Sequence, residues 1–195
     1  MSRGKNMREG KEINIDSKEN EKYKKVIFLD IDGVLTTNQE YDLVVDEQMV
    51  QRLKKIIDAT GADVIMSSSR RATYLRYKHH PEALDEYDTN EMKQLQVMFD
   101  KYGIEIAGVT SNLEQGRGYR TRPCQIKDWL VDKPKVSNFV ILDDDPWEWG
   151  WLMDYVVRTK RPHPTREYGD LYGLQDEDVQ KGIEILNEER ENYLS

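Results

Sequence analysis

The chain has 195 residues, 37% hydrophobic and 34% charged, with 37 acidic against 29 basic side chains and a net charge of −8. That length corresponds to one domain with a tail, and its discrete apolar runs separate it from a wholly disordered acidic chain. No apolar stretch approaches the roughly 20 residues that span a bilayer, the first ten residues lack a signal-peptide pattern, and the single cysteine, Cys124, excludes an internal disulfide framework and a cysteine zinc cluster.

The expectation is therefore a soluble cytoplasmic protein with no membrane association. The net charge argues against a nonspecific polyanion binder as a whole and leaves local patches open. Residues 1–23 mix charges without apolar periodicity and read as a flexible N-terminal arm, leaving 24–195 as the domain. Val26–Asp30 reads as a buried strand ending in acid. In Asp46–Ala59, Met49, Val50, Leu53, Ile56 and Ile57 fall at helical spacing between an Asp46 cap and Gly61.

Asp63–Met66 is a second strand, running into Ser67-Ser68-Ser69-Arg70. After a variable stretch, Glu91–Tyr102 predicts a helix with Met92, Leu95, Met98 and Phe99 inward, ended by Gly103. Ile104–Val109 is a third strand. Pro123–Val131 predicts a helix with Pro in its first turn and Ile126, Trp129 and Leu130 inward. Phe139–Leu142 is a fourth strand ending in Asp143-Asp144-Asp145, Tyr155–Val157 a fifth, and Asp176–Leu186 a terminal helix with Val179, Ile183 and Leu186 on one face.

Strands alternating with helices imply right-handed crossovers and a three-layer α/β, Rossmann-like fold around a central parallel sheet. Such sheets place ligands beyond the carboxyl ends of their strands. Here the polar residues at Asp30/Asp32, Ser67–Arg70 and Asp143–Asp145 each follow an apolar strand. Asp30 and Asp32 lead into a turn at Gly33, and two carboxylates this close repel unless a cation lies between them or one takes a proton. With Asp143 and Asp144 they form an oxygen-only metal-ligand set, Asp30, Asp32, Asp143 and Asp144, suited to a hard divalent ion, Mg²⁺ first. With that charge neutralised, Asp30 can serve as nucleophile and Asp32 as general acid and base.

Phe28-Leu29-Asp30-Ile31-Asp32-Gly33-Val34-Leu35 resembles the first motif of the haloacid dehalogenase (HAD) superfamily, and further motifs follow in order to near the C-terminus. The resemblance implies an aspartyl-phosphate on Asp30, with Asp32 protonating the leaving group and then activating water. An acid at the second position is typical of phosphoryl-transfer members and disfavours dehalogenation. The Ser or Thr that donates to the phosphoryl group would be Ser67, or Ser68, which stands two before Arg70. The cation at the helix before the acidic strand would be Arg122, with Arg120 and Lys127 as competitors, and the acidic pair is Asp143 and Asp144.

Ser67–Arg70, the run from Arg122 to Leu130 and Gly173-Leu174 are similar to the small capless members of nucleic-acid end repair, although Ser69 and Gln125 stand where those carry Trp and Glu. No large cap is expected, because only about 34 residues separate the first two motifs. Arg70–His80, Gln115–Lys127 and Val156–Arg166 each hold four basic and no acidic residues, a candidate phosphate-contacting rim including Arg70, Arg120 and Lys127. Trp147, Trp149 and Trp151 are read first as packing and second as a stacking surface. The expected function is a Mg²⁺-dependent phosphomonoester hydrolase whose phosphorylated substrate is a nucleic-acid end or nucleotide. The alternatives are a small-molecule phosphatase and a receiver-like signalling domain.

Overall fold

A computed structural model describes residues 25–36, 44–111, 121–132, 136–160 and 172–189. The arm expected over residues 1–23 and the candidate Arg120 lie outside them, as do parts of the second and third basic stretches. Five parallel strands form one sheet in the order β3-β2-β1-β4-β5. They are β1 (Lys25–Leu29), β2 (Asp63–Met66), β3 (Ile106–Val109), β4 (Asn138–Asp143) and β5 (Val156–Arg158). The helices are α1 (Glu47–Thr60), α2 (Arg71–His79), α3 (Glu86–Tyr102), α4 (Arg122–Val131) and α5 (Asp176–Asn187).

The central strands are the most apolar, as strands covered on both faces must be. Val26–Leu29 and Phe139–Leu142 are all fully buried. Full burial of each such side chain contributes about 1.5–3 kcal/mol against the entropy of ordering it. Phe28 meets Trp129 of α4 edge-on at 5.2 Å, and Phe139 stacks on Tyr155 at 4.1 Å. The first contact fixes α4 against β1 and the second holds the segment before β5 against β4, the two strands that end in acid.

Helix α1 forms where its pattern predicts. The Asp46 carboxylate accepts from the Gln48 and Met49 amides, Gly61 ends the helix, and Met49, Val50, Leu53 and Ile56 are buried. Helix α3 begins five residues before the expected Glu91, because the Asp85 carboxylate caps the Asp88 amide at 2.8 Å and adds a polar first turn. Strand β3 begins two residues late. Its predicted first residue, Ile104, donates its amide to the Phe99 carbonyl at the end of α3 and so cannot join the sheet.

Helix α2 was not predicted. It carries three Lys or Arg residues and no apolar stripe, and only Arg71 is buried; Tyr74 and Tyr77 pack against the core from partial burial. A further turn of 3₁₀ helix, Gly150–Tyr155, buries Leu152 and Tyr155 ahead of β5.

Candidate active site

The carboxyl ends of β1, β2 and β4 come together at one rim. β1 pairs Leu29 with Met66 on one side and with Leu142 on the other. The pairing continues one residue further, the Asp30 amide donating to Leu142 O at 3.0 Å and the Ser67 amide to Leu29 O at 2.8 Å. Asp30, Ser67 and Asp143 are thereby neighbours on adjacent strands.

After Asp30 the chain turns helically, with the Leu35 amide donating to Ile31 O at 2.9 Å. Gly33 sits in this turn at φ +72, and a Cβ there would lie 2.0 Å from Asp144 Oδ2. A side chain at that position would displace the Asp144 carboxylate, so glycine is required both by the backbone and by the close approach. The Thr159 hydroxyl donates to Gly33 O at 2.8 Å while its amide donates to Asp143 O at 3.1 Å, tying the turn to the end of β4. Gly173, at φ +66, lies where a Cβ would meet Met49 and Val34 O, and the next amide, that of Leu174, donates to Val34 O at 2.9 Å.

Asp30 is 2% exposed. One of its oxygens accepts from the Ile31 amide at 2.8 Å, the other from Arg122 Nη1, and the Ser68 hydroxyl donates to it as well. Arg122 Nη1 also reaches Asp143 Oδ2 at 2.5 Å, so one guanidinium bridges the ends of β1 and β4. The other Asp143 oxygen accepts from the Asp145 amide at 2.9 Å.

Four carboxylates, of Asp30, Asp143, Asp144 and Asp145, each offer an oxygen within 4.8 Å of the others. Such an all-oxygen set fits a hard divalent cation, and no neutral ligand suits that density of charge. Asp32, expected in the ligand set, is not in this group, and Asp145 takes the fourth place. The Asp32 carboxylate is turned to Arg70, whose Nε donates to both its oxygens at 3.1 and 2.9 Å. Arg70 Nη1 in turn pairs with Glu91, a buried residue of α3 that sequence reasoning missed. Burial opposes the charge on Arg70, and the two carboxylates more than restore it.

The remaining candidates are placed as follows. The Ser67 hydroxyl is fully buried and finds no hydrogen-bond partner among the described residues, whereas Ser68 is engaged with Asp30. Lys127 places its Nζ over the Trp151 ring, 5.9 Å from the centroid. Trp149 is buried, Trp147 is partly buried and Trp151 is exposed. His79 and His80 are exposed. Arg158 Nε donates to Asp144 O at 3.4 Å, a second cation at the rim.

Burial pushes Asp30 above the ordinary carboxylate range despite Arg122, and pushes Asp143 up to about 7, with the Asp30 charge adding to the rise. Arg122 is raised; burial alone would lower it, and the two aspartates override that. A folded-state pKa above the unfolded value near 3.8 means that the folded protein retains the Asp143 proton where the unfolded chain has lost it. The stabilisation is full below about pH 4 and disappears as pH rises through about 7. Cation binding needs the deprotonated carboxylates. A divalent cation held by these acids would therefore raise the melting temperature more at pH 8 than at pH 6, its affinity falling as pH drops below 7. Calorimetric titrations across that range check this, and a pH-independent affinity would contradict it.

A family model described as the HAD domain in Swiss Army Knife RNA repair proteins matches residues 26–163. Comparisons with curated proteins and with solved structures returned no match. The matched stretch contains Asp30, Asp32, Ser67–Arg70, Glu91, Arg122 and Asp143–Asp145. Among the described residues no helix is long and apolar enough to cross a membrane.

Proposed function

The chain belongs to the family of HAD domains in Swiss Army Knife RNA repair proteins and is a HAD-type hydrolase domain; from that premise we propose that it removes a terminal phosphate from a nucleic acid or nucleotide through an aspartyl-phosphate on Asp30, with Mg²⁺ as cofactor. The observation that carries this reading is the buried Asp30 carboxylate bridged through Arg122 to Asp143 within a cluster of four acids.

Mg²⁺ held by Asp30, Asp143, Asp144 and Asp145 would offset the charge that repels a phosphate from these acids. An Asp30 oxygen attacks phosphorus as the bond to the nucleotide oxygen breaks, and Asp32, as general acid, gives a proton to that oxygen. Water then attacks phosphorus, Asp32 accepts the water proton, and inorganic phosphate leaves with Asp30 restored. Arg122 orients Asp30 and offsets charge on the transferring group, and the Ser68 hydroxyl turns from Asp30 to donate to a phosphoryl oxygen.

The RNA repair context of the family supports the nucleic-acid substrate, and the exposed Arg76 and Lys78 of α2 are free of the Asp32 and Glu91 pairing that occupies Arg70. A panel of 3′- and 5′-phosphorylated RNA and DNA oligonucleotides, free nucleotides and sugar phosphates tests it. The expected outcome is a kcat/KM for one oligonucleotide terminus at least about tenfold above that for sugar phosphates, with binding weakened by salt. Preference for sugar phosphates would overturn the substrate assignment and leave the phosphatase chemistry standing.

A further inference from the structure

Glu91 is 4% exposed, in the second turn of the 17-residue helix α3, facing inward beside Met92 and Leu95. A carboxylate is costly to bury, and a paired one often stabilises a fold no better than an apolar residue of similar volume. Its partner explains its position. Glu91 holds one Nη of Arg70, and the Nε edge of the same guanidinium spans both oxygens of Asp32. The Arg70 backbone is fixed as well, its amide donating to Ser68 Oγ at 3.2 Å.

The Asp32 side chain, by contrast, is 40% exposed on a turn. A side chain so exposed has several rotamers open to it, and the long arginine that clasps it is itself a flexible tether unless its far edge is anchored. A carboxylate on a long helix supplies that anchor.

Resting on the reading of Asp32 as general acid and base, we propose that Glu91 is a positioning residue for proton transfer: it locks the Arg70 fork, and the fork holds Asp32 in one orientation over the Asp30 rim. The proposed chain of contacts runs from α3 through Arg70, the residue that precedes α2, to the turn after β1. Glu91 acts on the steps that need a proton moved and leaves substrate binding to the rest of the rim.

The test uses the full chain with Glu91→Gln, Glu91→Asp and Arg70→Lys, and two substrates that differ in their leaving group. A terminally phosphorylated oligonucleotide releases an alkoxide that must be protonated; 2,4-dinitrophenyl phosphate releases a phenolate that need not be. Glu91→Gln is expected to lower kcat on the oligonucleotide about 10- to 100-fold with KM changed less than about twofold. The first-turnover burst of dinitrophenolate should keep the wild-type rate. Glu91→Asp should recover part of the loss, and Arg70→Lys, whose single ammonium cannot span both acids, should behave as Glu91→Gln does.

Equal losses in the first-turnover rate for both leaving groups, a rise in KM at constant kcat, or no loss would each overturn the proposal. A second measurement is independent of turnover. The Arg70 Nε–H resonance in a ¹⁵N–¹H spectrum should be protected from solvent exchange in the wild type and lose that protection in Glu91→Gln. Retained protection would overturn the anchoring. If the wild type hydrolyses neither substrate, the phosphatase reading fails while this resonance still decides whether Glu91 anchors Arg70.

Discussion

Replacing Asp30 with asparagine is expected to lower hydrolysis of phosphomonoesters by about 10⁴-fold or more, with the fold intact. The amide has nearly the shape of the carboxylate but cannot attack phosphorus. Burial already disfavours the Asp30 charge, so a neutral side chain there relieves a cost even as Arg122 loses one of its two acids. Circular dichroism and thermal melting should therefore change little while turnover disappears. Undiminished turnover in this variant would remove Asp30 from the chemistry.

The second large effect is expected at Arg122, and it falls on stability as well as activity. Its side chain is 9% exposed and bridges Asp30 and Asp143, both at or below 3%. Arg122→Ala leaves two carboxylates buried against each other, and removing one partner from such a buried ion set costs about 3–5 kcal/mol. For a domain of this size that corresponds to a fall in melting temperature on the order of 10 °C. Turnover should drop about 10²- to 10³-fold through loss of charge stabilisation. Excess Mg²⁺ should return part of the melting temperature, because it offsets the same two charges, but not the rate. Melting with and without Mg²⁺, paired with hydrolysis assays, separates the two roles. An unchanged melting temperature would contradict the burial argument.

Legibility varied with how local the signal was. Helix α1 announced itself through Asp46, the apolar spacing from Met49 to Ile56, and Gly61. The strand ends were legible because apolar runs stopped abruptly at Asp30, Ser67 and Asp143, and parallel pairing carries all three to one rim. Helix α2 was not legible. Its one buried residue is Arg71, and the partly buried Tyr74 and Tyr77 produce no apolar stripe, so packing against α3 and the core decides its structure.

Within the candidate site, spacing suggested that Asp32 would join the metal ligands, because Asp30 and Asp32 lie two residues apart. In the turn after β1 the Asp32 carboxylate faces Arg70, while Asp145, whose amide donates to Asp143, joins the acidic group. Glu91 was read only as the start of a helix. Its partner Arg70 lies 21 residues earlier on another element, a separation that no helical or strand period encodes. Even so, the Arg122 bridge joins residues 92 apart, and the order of motifs along the chain had already pointed to its members.

The central claim is that phosphate passes through a covalent bond to Asp30. Acid-quenching the enzyme while it turns over a terminally ³²P-labelled oligonucleotide, followed by peptide mapping of the protein-bound label, tests it most directly. The predicted result is a hydroxylamine-labile label on the peptide containing Asp30 in the wild type, and none in Asp30→Asn. Label on any other residue, or rapid turnover with no labelled protein at any quench time, would contradict it.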